Sequence, residues 1–510
     1  MSATLSLGWF ARHEITLAWR DWISMMSGGR STRDRLVAGI ALIFVGLLHL
    51  LAYSIVAPLL KQGVTLNKET LVVLSAALLL TFSMMLSQAI EQVTRSFYAR
   101  ADLDLILSSP APAHRLFAIR ITAIALTGAL LTSLLASPFI NIAAVIDSGH
   151  WLWAYAIIAA MSALATGAAV IAALAMFATL GPKQTRSVAQ IFAAVVGAAF
   201  LIGIQVAAVL TYGNLSRLQV LRSQSVMNAM PDEGSVLWWP AMALLGDVTA
   251  SALFVTAAFA CLALVIALYA NRFSANAIAA AGLAESVGAE QSGRRKKAFV
   301  AGSTMQALRA KEWSLLKRDP WLMSQTLMQV LYLIPPALLL WRDMGAESQV
   351  HVILAPVLVM AFGQLAGGLA WLAISGEDAP DLVATAPITQ RALQRAKNEA
   401  VLCVIAAGAS PFLLVLAIVS PWGAVATMTG IVCASVSAIS IQIWFRVAAR
   451  RSQFRRRQTA SRASTFAEAF SSIFWAGATG FAAGQSWFAV LLVALALITL
   501  AIAYAIRPRS

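Results

Sequence analysis

The chain has 510 residues, of which 60% are apolar and 12% charged, and its mean hydropathy is +0.78. Soluble domains are about 45–50% apolar and about 25% charged, so a soluble fold is excluded and an all-α polytopic membrane protein is indicated. A net charge of +15 would suggest nucleic acid in a soluble protein, but here a charge bias between the two sides of a membrane accounts for it.

In chain order, residues 5–26 (LSLGWFARHEITLAWRDWISMM) set Trp9, Ile15, Trp19, Trp22 and Met26 near one helical face. Arg12, His13, Arg20 and Asp21 fall largely off that face, which suits an amphipathic elbow helix lying at the membrane surface. No signal-peptide core precedes the first long apolar run, which reads as an uncleaved anchor. Apolar runs predict six spanning helices in a first half (1–270), at 36–60, 70–90, 119–146, 151–180, 188–212 and 249–270. Between the second and third, 91–118 is too polar for the bilayer and long for a turn, and Pro110 should break it into two helical pieces. The segment 213–248 carries Trp238, Trp239 and Pro240, as partly buried or re-entrant short helices would.

A linker at 271–304, with Arg294, Arg295, Lys296 and Lys297, reads as partly disordered. The second half (305–510) opens on a weaker amphipathic stretch, 305–321. Six further spans follow at 322–341, 351–375, 400–420, 422–446, 468–484 and 486–506, about twelve in all. Between the second and third of these, 376–399 is again polar and again broken by a proline, Pro387. The Arg-rich segment 446–462 suits topology anchoring, contact with anionic headgroups or contact with a partner. With the N-terminus in the cytoplasm, inside segments hold 32 Lys and Arg and outside segments hold 5, and both termini are cytoplasmic.

Two short patterns recur in the same order. EITLAWRD (14–21) and EWSLLKRD (312–319) both fit E-x-x-L-x-x-R-D, aligning Glu14, Arg20 and Asp21 with Glu312, Arg318 and Asp319. Asp104, Leu105 and Pro110 align with Asp381, Leu382 and Pro387 in D-L-x-x-x-x-P, and basic residues follow each, Arg115 and Arg391 among them. Halves with an even number of spans enter the membrane in the same sense, which makes a parallel repeat. Glu377 and Asp378 also suit the N-terminus of a short helix, where the helix dipole favours acids.

Other chemistry is sparse. The dipeptide Gly-Lys never occurs, so no Walker A loop exists, and there is no H-E-x-x-H or G-x-S-x-G. Cys261, Cys403 and Cys433 lie in apolar runs without metal spacing, and no catalytic, metal or cofactor residues are predicted. Asp102-Leu103-Asp104 is a bare D-x-D, too short to carry an enzyme reading. Inside the spans, His49 is the clear ionisable residue and Asp247 sits at a span edge.

The order of parts resembles the type 2 ATP-binding-cassette (ABC) exporter permeases: elbow helix, two spans, cytoplasmic coupling helix, four further spans. DLILSSPAPAHR (104–115) and DLVATAPITQR (381–391) are similar to that family's coupling loops. The resemblance implies two fused six-span permease domains in the cytoplasmic membrane. It implies docking through the two coupling segments onto two copies of a separate ATPase that holds ATP-Mg, and no enzyme activity or cofactor on this chain. The second half departs from the pattern in having no extended outer loop. A secondary transporter of two six-span halves is the alternative, followed by a membrane enzyme or scaffold.

Overall fold

A computed structural model of the chain describes residues 34–61, 67–98, 113–212, 220–290, 303–318, 350–375, 385–445 and 462–505, with Thr16, Arg507 and five positions between 331 and 338. Among the described residues all regular structure is helical. The helices are α1 (Asp34–Lys61), α2 (Lys68–Tyr98), α3 (Ala113–Ile146), α4 (Trp153–Tyr212), α5 (Gln224–Ala229), α6 (Trp239–Leu244), α7 (Val248–Glu290), α8 (Thr304–Arg318), α9 (Val350–Ser375), α10 (Gln390–Val419), α11 (Pro421–Trp444), α12 (Arg462–Ala483) and α13 (Phe488–Ala505).

Nine helical stretches among the described residues are long and apolar enough to cross a membrane: 68–96, 117–146, 149–181, 188–210, 248–272, 351–374, 390–419, 421–444 and 488–505. This is an integral helical membrane protein. Helices α1 and α12 lie over two more of the expected spans, while 322–341 falls mostly outside the described residues. α12 and α13 are distinct helices, joined by a turn in which Gln485 takes the left-handed φ of 55° and Ser486 N–H donates to Phe481 O at 2.8 Å.

Several helices run past the apolar stretches that nucleate them. α2 continues to Tyr98, α10 begins at Gln390, and α7 extends to Glu290, into the expected linker 271–304. A ladder already nucleated adds residues at little cost, and Ala, Glu, Gln and Arg favour that extension. The opposite happens at Gly181, whose φ of 70° bends α4 and separates the spans on either side. A residue with a Cβ would be strained there.

The chain folds as two compact units, 1–204 with 216–296, and 205–215 with 297–510. In the first unit, Ile90 and Val93 of α2, Phe117 and Ile121 of α3, Val170 of α4 and Leu262 and Val265 of α7 form one buried cluster. At the other end of α2, Leu71 and Val72 pack with Trp238 and Ala241 of the 220–247 segment. That segment consists of short helices, as its aromatics suggested. Trp238 is 3% exposed and donates from Nε1 to Asp232 O at 3.0 Å. Asp247 caps α7, accepting on Oδ1 from Thr249 N at 2.9 Å and Ala250 N at 3.1 Å.

In the second unit, α9, α10, α11 and α12 share a core that includes Leu358, Phe362, Leu369, Val401, Ile431 and Ala476. Close approach here depends on small residues, as in other membrane bundles. A Cβ on Gly430 would run into Thr479 Oγ1 and lie 2.8 Å from Val359 Cγ2. A Cβ on Gly363 would lie 3.2 Å from the Ala434 Cβ.

Candidate functional site: the foot of α10

Two of the expected stretches of the second half, 305–321 and 376–399, meet in one place through their described residues. α8 starts with a reciprocal capping box: Ser303 Oγ accepts from Gln306 N at 3.3 Å, and Gln306 Oε1 accepts from Ser303 N at 3.1 Å. Its buried residues Leu308, Glu312 and Leu316 are four apart and share a face. Leu308 packs on Leu393 and Ala396 of α10, with Met305, Ile388 and Ala392 around them. Leu316 enters the main core of the second unit. Glu312, between two leucines, is therefore carried into the interior by the helix period.

Its charge is met there. Lys397 of α10, itself buried, places Nζ 3.3 Å from Glu312 Oε1 and donates to the backbone oxygen of Ala373 on α9. Lys311 Nζ lies 3.4 Å from the same carboxylate oxygen. Glu312 Oε2 is buried and accepts no hydrogen bond among the described residues. At the rim, Arg309 donates to Glu399 Oε2 at 2.7 Å and Arg395 to Glu399 Oε1 at 2.9 Å. The bond to Glu399 raises the Arg309 guanidinium above its ordinary value. α8 and α10 are thus tied by one buried ion pair and one outer triad, and the Lys397 bond to Ala373 O joins α9 to them.

The break lies directly below. Thr385 is helical, Ala386 and Pro387 form a bend, and Ile388 N donates to Ala386 O at 2.7 Å. Thr389 then caps α10, its Oγ1 accepting from Ala392 N at 3.3 Å. Pro387 and Arg391 are exposed, whereas Ile388 sits in the cluster that receives Leu308. So the chain bends at Pro387 within 376–399, and Ile388 beyond the bend packs against α8.

Two more of the expected residues are described. Arg115 is exposed in the first turn of α3, and Arg318 is the last residue of α8. Asp104, Leu105, Pro110, Glu377, Asp378, Asp381, Leu382, Glu14, Arg20, Asp21 and Asp319 lie outside the described residues. Lys397, Arg309 and Glu399 were not singled out as site residues. Lys397 carried a usable signal, because a lysine at the threshold of an apolar run is rarely buried unless an acid meets it.

Glu468, also unforeseen, sits in α12 with Oε2 accepting from Gln442 Nε2 at 2.8 Å. Its Oε1 occupies the space that a Cβ on Gly367 would fill. The glycine on α9 is what admits the carboxylate between helices. Nearby on α12 and α11, Ser471, Ser472 and Ser435 bury hydroxyls that make no hydrogen bond among the described residues, and Trp475 Nε1 donates to Ser437 Oγ at 2.9 Å. The interior of the second unit is more polar than its apolar runs suggested. Among the described residues no three His, Cys, Asp or Glu side chains gather as a metal site.

No protein family, curated protein or solved structure matches this chain.

Proposed function

We propose that this chain is the membrane permease subunit of an ABC exporter, moving its substrate across the cytoplasmic membrane with ATP hydrolysed by two copies of a separate ATPase. The two halves each supply one coupling segment, 91–118 and 376–399, on the cytoplasmic side where both termini lie. The observation that carries this reading is the foot of α10. A proline break in a polar segment is packed, through Ile388 and the Glu312–Lys397 pair, onto an amphipathic helix and a spanning helix at once. A docked partner pushing on 376–387 would therefore move α8, α9 and α10 together.

The test is co-purification with an ATPase whose turnover the chain alters. Asp104→Ala combined with Asp381→Ala should weaken that association while leaving membrane insertion intact. Equal recovery of the ATPase with the doubly substituted chain would remove the coupling role. Glu468 and His49, on helices that overlie two of the expected spans, favour a second reading, a secondary transporter, since such proteins carry ionisable side chains inside the bilayer. Ion-driven flux by the purified chain alone in liposomes would establish that reading and overturn the first.

A further inference from the structure

Within the first unit, His49 of α1, Asn141 of α3 and Tyr155 of α4 form a hydrogen-bonded chain across three helices. His49 Nδ1 lies 2.8 Å from Val45 O, one turn back. A carbonyl only accepts, so Nδ1 carries a hydrogen. Nε2 lies 3.4 Å from Asn141 Nδ2, and Asn141 Oδ1 accepts from Tyr155 O–H at 2.8 Å. In this arrangement Nε2 offers its lone pair to the Asn141 amide. Every donor points one way, from Tyr155 through Asn141 and His49 to Val45 O.

The same heavy-atom positions accommodate a second state. A proton on Nε2 would set two donors face to face. Turning the Asn141 amide by half a turn removes that conflict: Oδ1 then accepts from Nε2–H, and Nδ2 donates to the Tyr155 oxygen. A hydroxyl oxygen can donate or accept, so the three contacts are kept while the Tyr155 hydrogen turns away from Asn141. We propose that His49, Asn141 and Tyr155 form a proton-binding site inside the first unit, with inversion of the Asn141 amide as the step between its empty and loaded forms. Loading replaces a long neutral contact between α1 and α3 with a charge-assisted one, which tightens the packing of α1 on α3.

Tyr53 is one turn further along α1 and exposed. In the turn after α3, Asp147 accepts from Trp151 Nε1 at 2.8 Å and faces His150 Nε2 at 3.9 Å. Arg115 and Arg120 on α3, the Glu91–Arg95 pair on α2 and Arg272 on α7 lie towards the Phe117 end of this unit, roughly 30 Å along α3 from Asn141.

The experiment uses the full chain in phosphatidylcholine nanodiscs, with nitrogen-15 in the His and Asn side chains and carbon-13 in the Tyr rings, read by solid-state NMR from about pH 8.5 to about pH 5. The expected result is a bare Nε2 and a protonated Nδ1 on His49 at alkaline pH, and both protonated in acid. The Asn141 amide and Tyr155 ring signals should shift at the same midpoint, and both shifts should be lost in H49Q. An Nε2-protonated neutral tautomer, a His49 that stays neutral throughout, or a titration without the Asn141 and Tyr155 response overturns the proposal. If H49Q fails to fold, the tautomer and the joint response of the unsubstituted chain decide the matter alone.

Discussion

Replacing Glu312 by Gln keeps the shape of the side chain and removes its charge, so it isolates what the buried pair contributes. At 3.3 Å, Lys397 and Glu312 attract by about 5 kcal/mol if the effective dielectric is ~20. Both ions lose hydration when α8 docks, which offsets much of that. In E312Q, however, Lys397 is still carried into the interior, where the Ala373 carbonyl solvates it without cancelling its charge. Leaving one member of a buried pair uncompensated costs about 3–5 kcal/mol. We expect the low end, about 3 kcal/mol, because α8 is a surface helix and can undock locally rather than unfold the unit. In the regime where hydrogen exchange reports the opening equilibrium, α8 amides should then exchange about a hundredfold faster. K397M should have a smaller effect, about 2 kcal/mol, since Lys311 still faces the carboxylate at 3.4 Å. The double variant E312L/K397M should return close to the parent, because an apolar pair of similar volume replaces the ions without their hydration cost. If α8 in E312Q exchanges within about threefold of the parent, or if the double variant opens as readily as E312Q, the pair does not hold α8 and the reasoning fails.

Other outcomes follow from single contacts. Gly430→Ala drives a methyl into Thr479 Oγ1, so it should lower the yield of monodisperse protein in detergent by the cost of overpacking, about 1–3 kcal/mol, and adding Thr479→Ala should recover part of it. Asp247 has its carboxyl held below the ordinary value, first by Thr249 Oγ1 and then by the Ala250 amide. A lowered native value means this cap contributes fully above the unfolded carboxyl pKa of about 3.9 and fades as pH falls through the lower native one. Asp247→Ala should therefore cost about 1 kcal/mol at neutral pH, read as faster exchange of the 249–251 amides, and the difference from the parent should shrink below about pH 4. The two repeated patterns also put Glu14 and Arg120 at the places of Glu312 and Lys397, at offsets of 298 and 277 residues. Glu14→Arg should lower membrane expression severalfold and adding Arg120→Glu should restore it, and a double variant no better than the single one removes the correspondence.

Most of the helical architecture could be read from the apolar runs, because a segment in lipid must satisfy its own backbone and does so only as a helix. The stretches 119–146, 249–270, 351–375 and 422–446 each match a helix to within a few residues over the apolar part. At 271–290 and in the flanks of α2 and α10, where helix extends beyond the expected bounds, the residues are polar but helix-favouring, and hydropathy cannot see that distinction. The foot of α10 was half legible. The repeat pointed to Glu312 and Pro387, yet E-x-x-L-x-x-R-D looks like a solvated charge pattern. Only the four-residue spacing of Leu308, Glu312 and Leu316 reveals that the acid faces inward. The partner Lys397 is 85 residues away in sequence, and no local rule joins the two. Glu468 escaped for a related reason, since what tolerates it is the missing side chain of Gly367 on another helix.

α10 runs without interruption from its cap at Thr389 to Val419, and Lys397 grips it near one end. Lengths along the axis are about 12 Å from cap to grip and about 33 Å from grip to far end. Beyond the grip, Val401, Ile405, Ala409 and Leu416 are buried along the helix, so a push at the Pro387 bend would travel as a stroke of the whole packed helix against its neighbours rather than as a swing about Lys397. Pro411, between the grip and the far end, is the place where such a stroke would be absorbed or redirected.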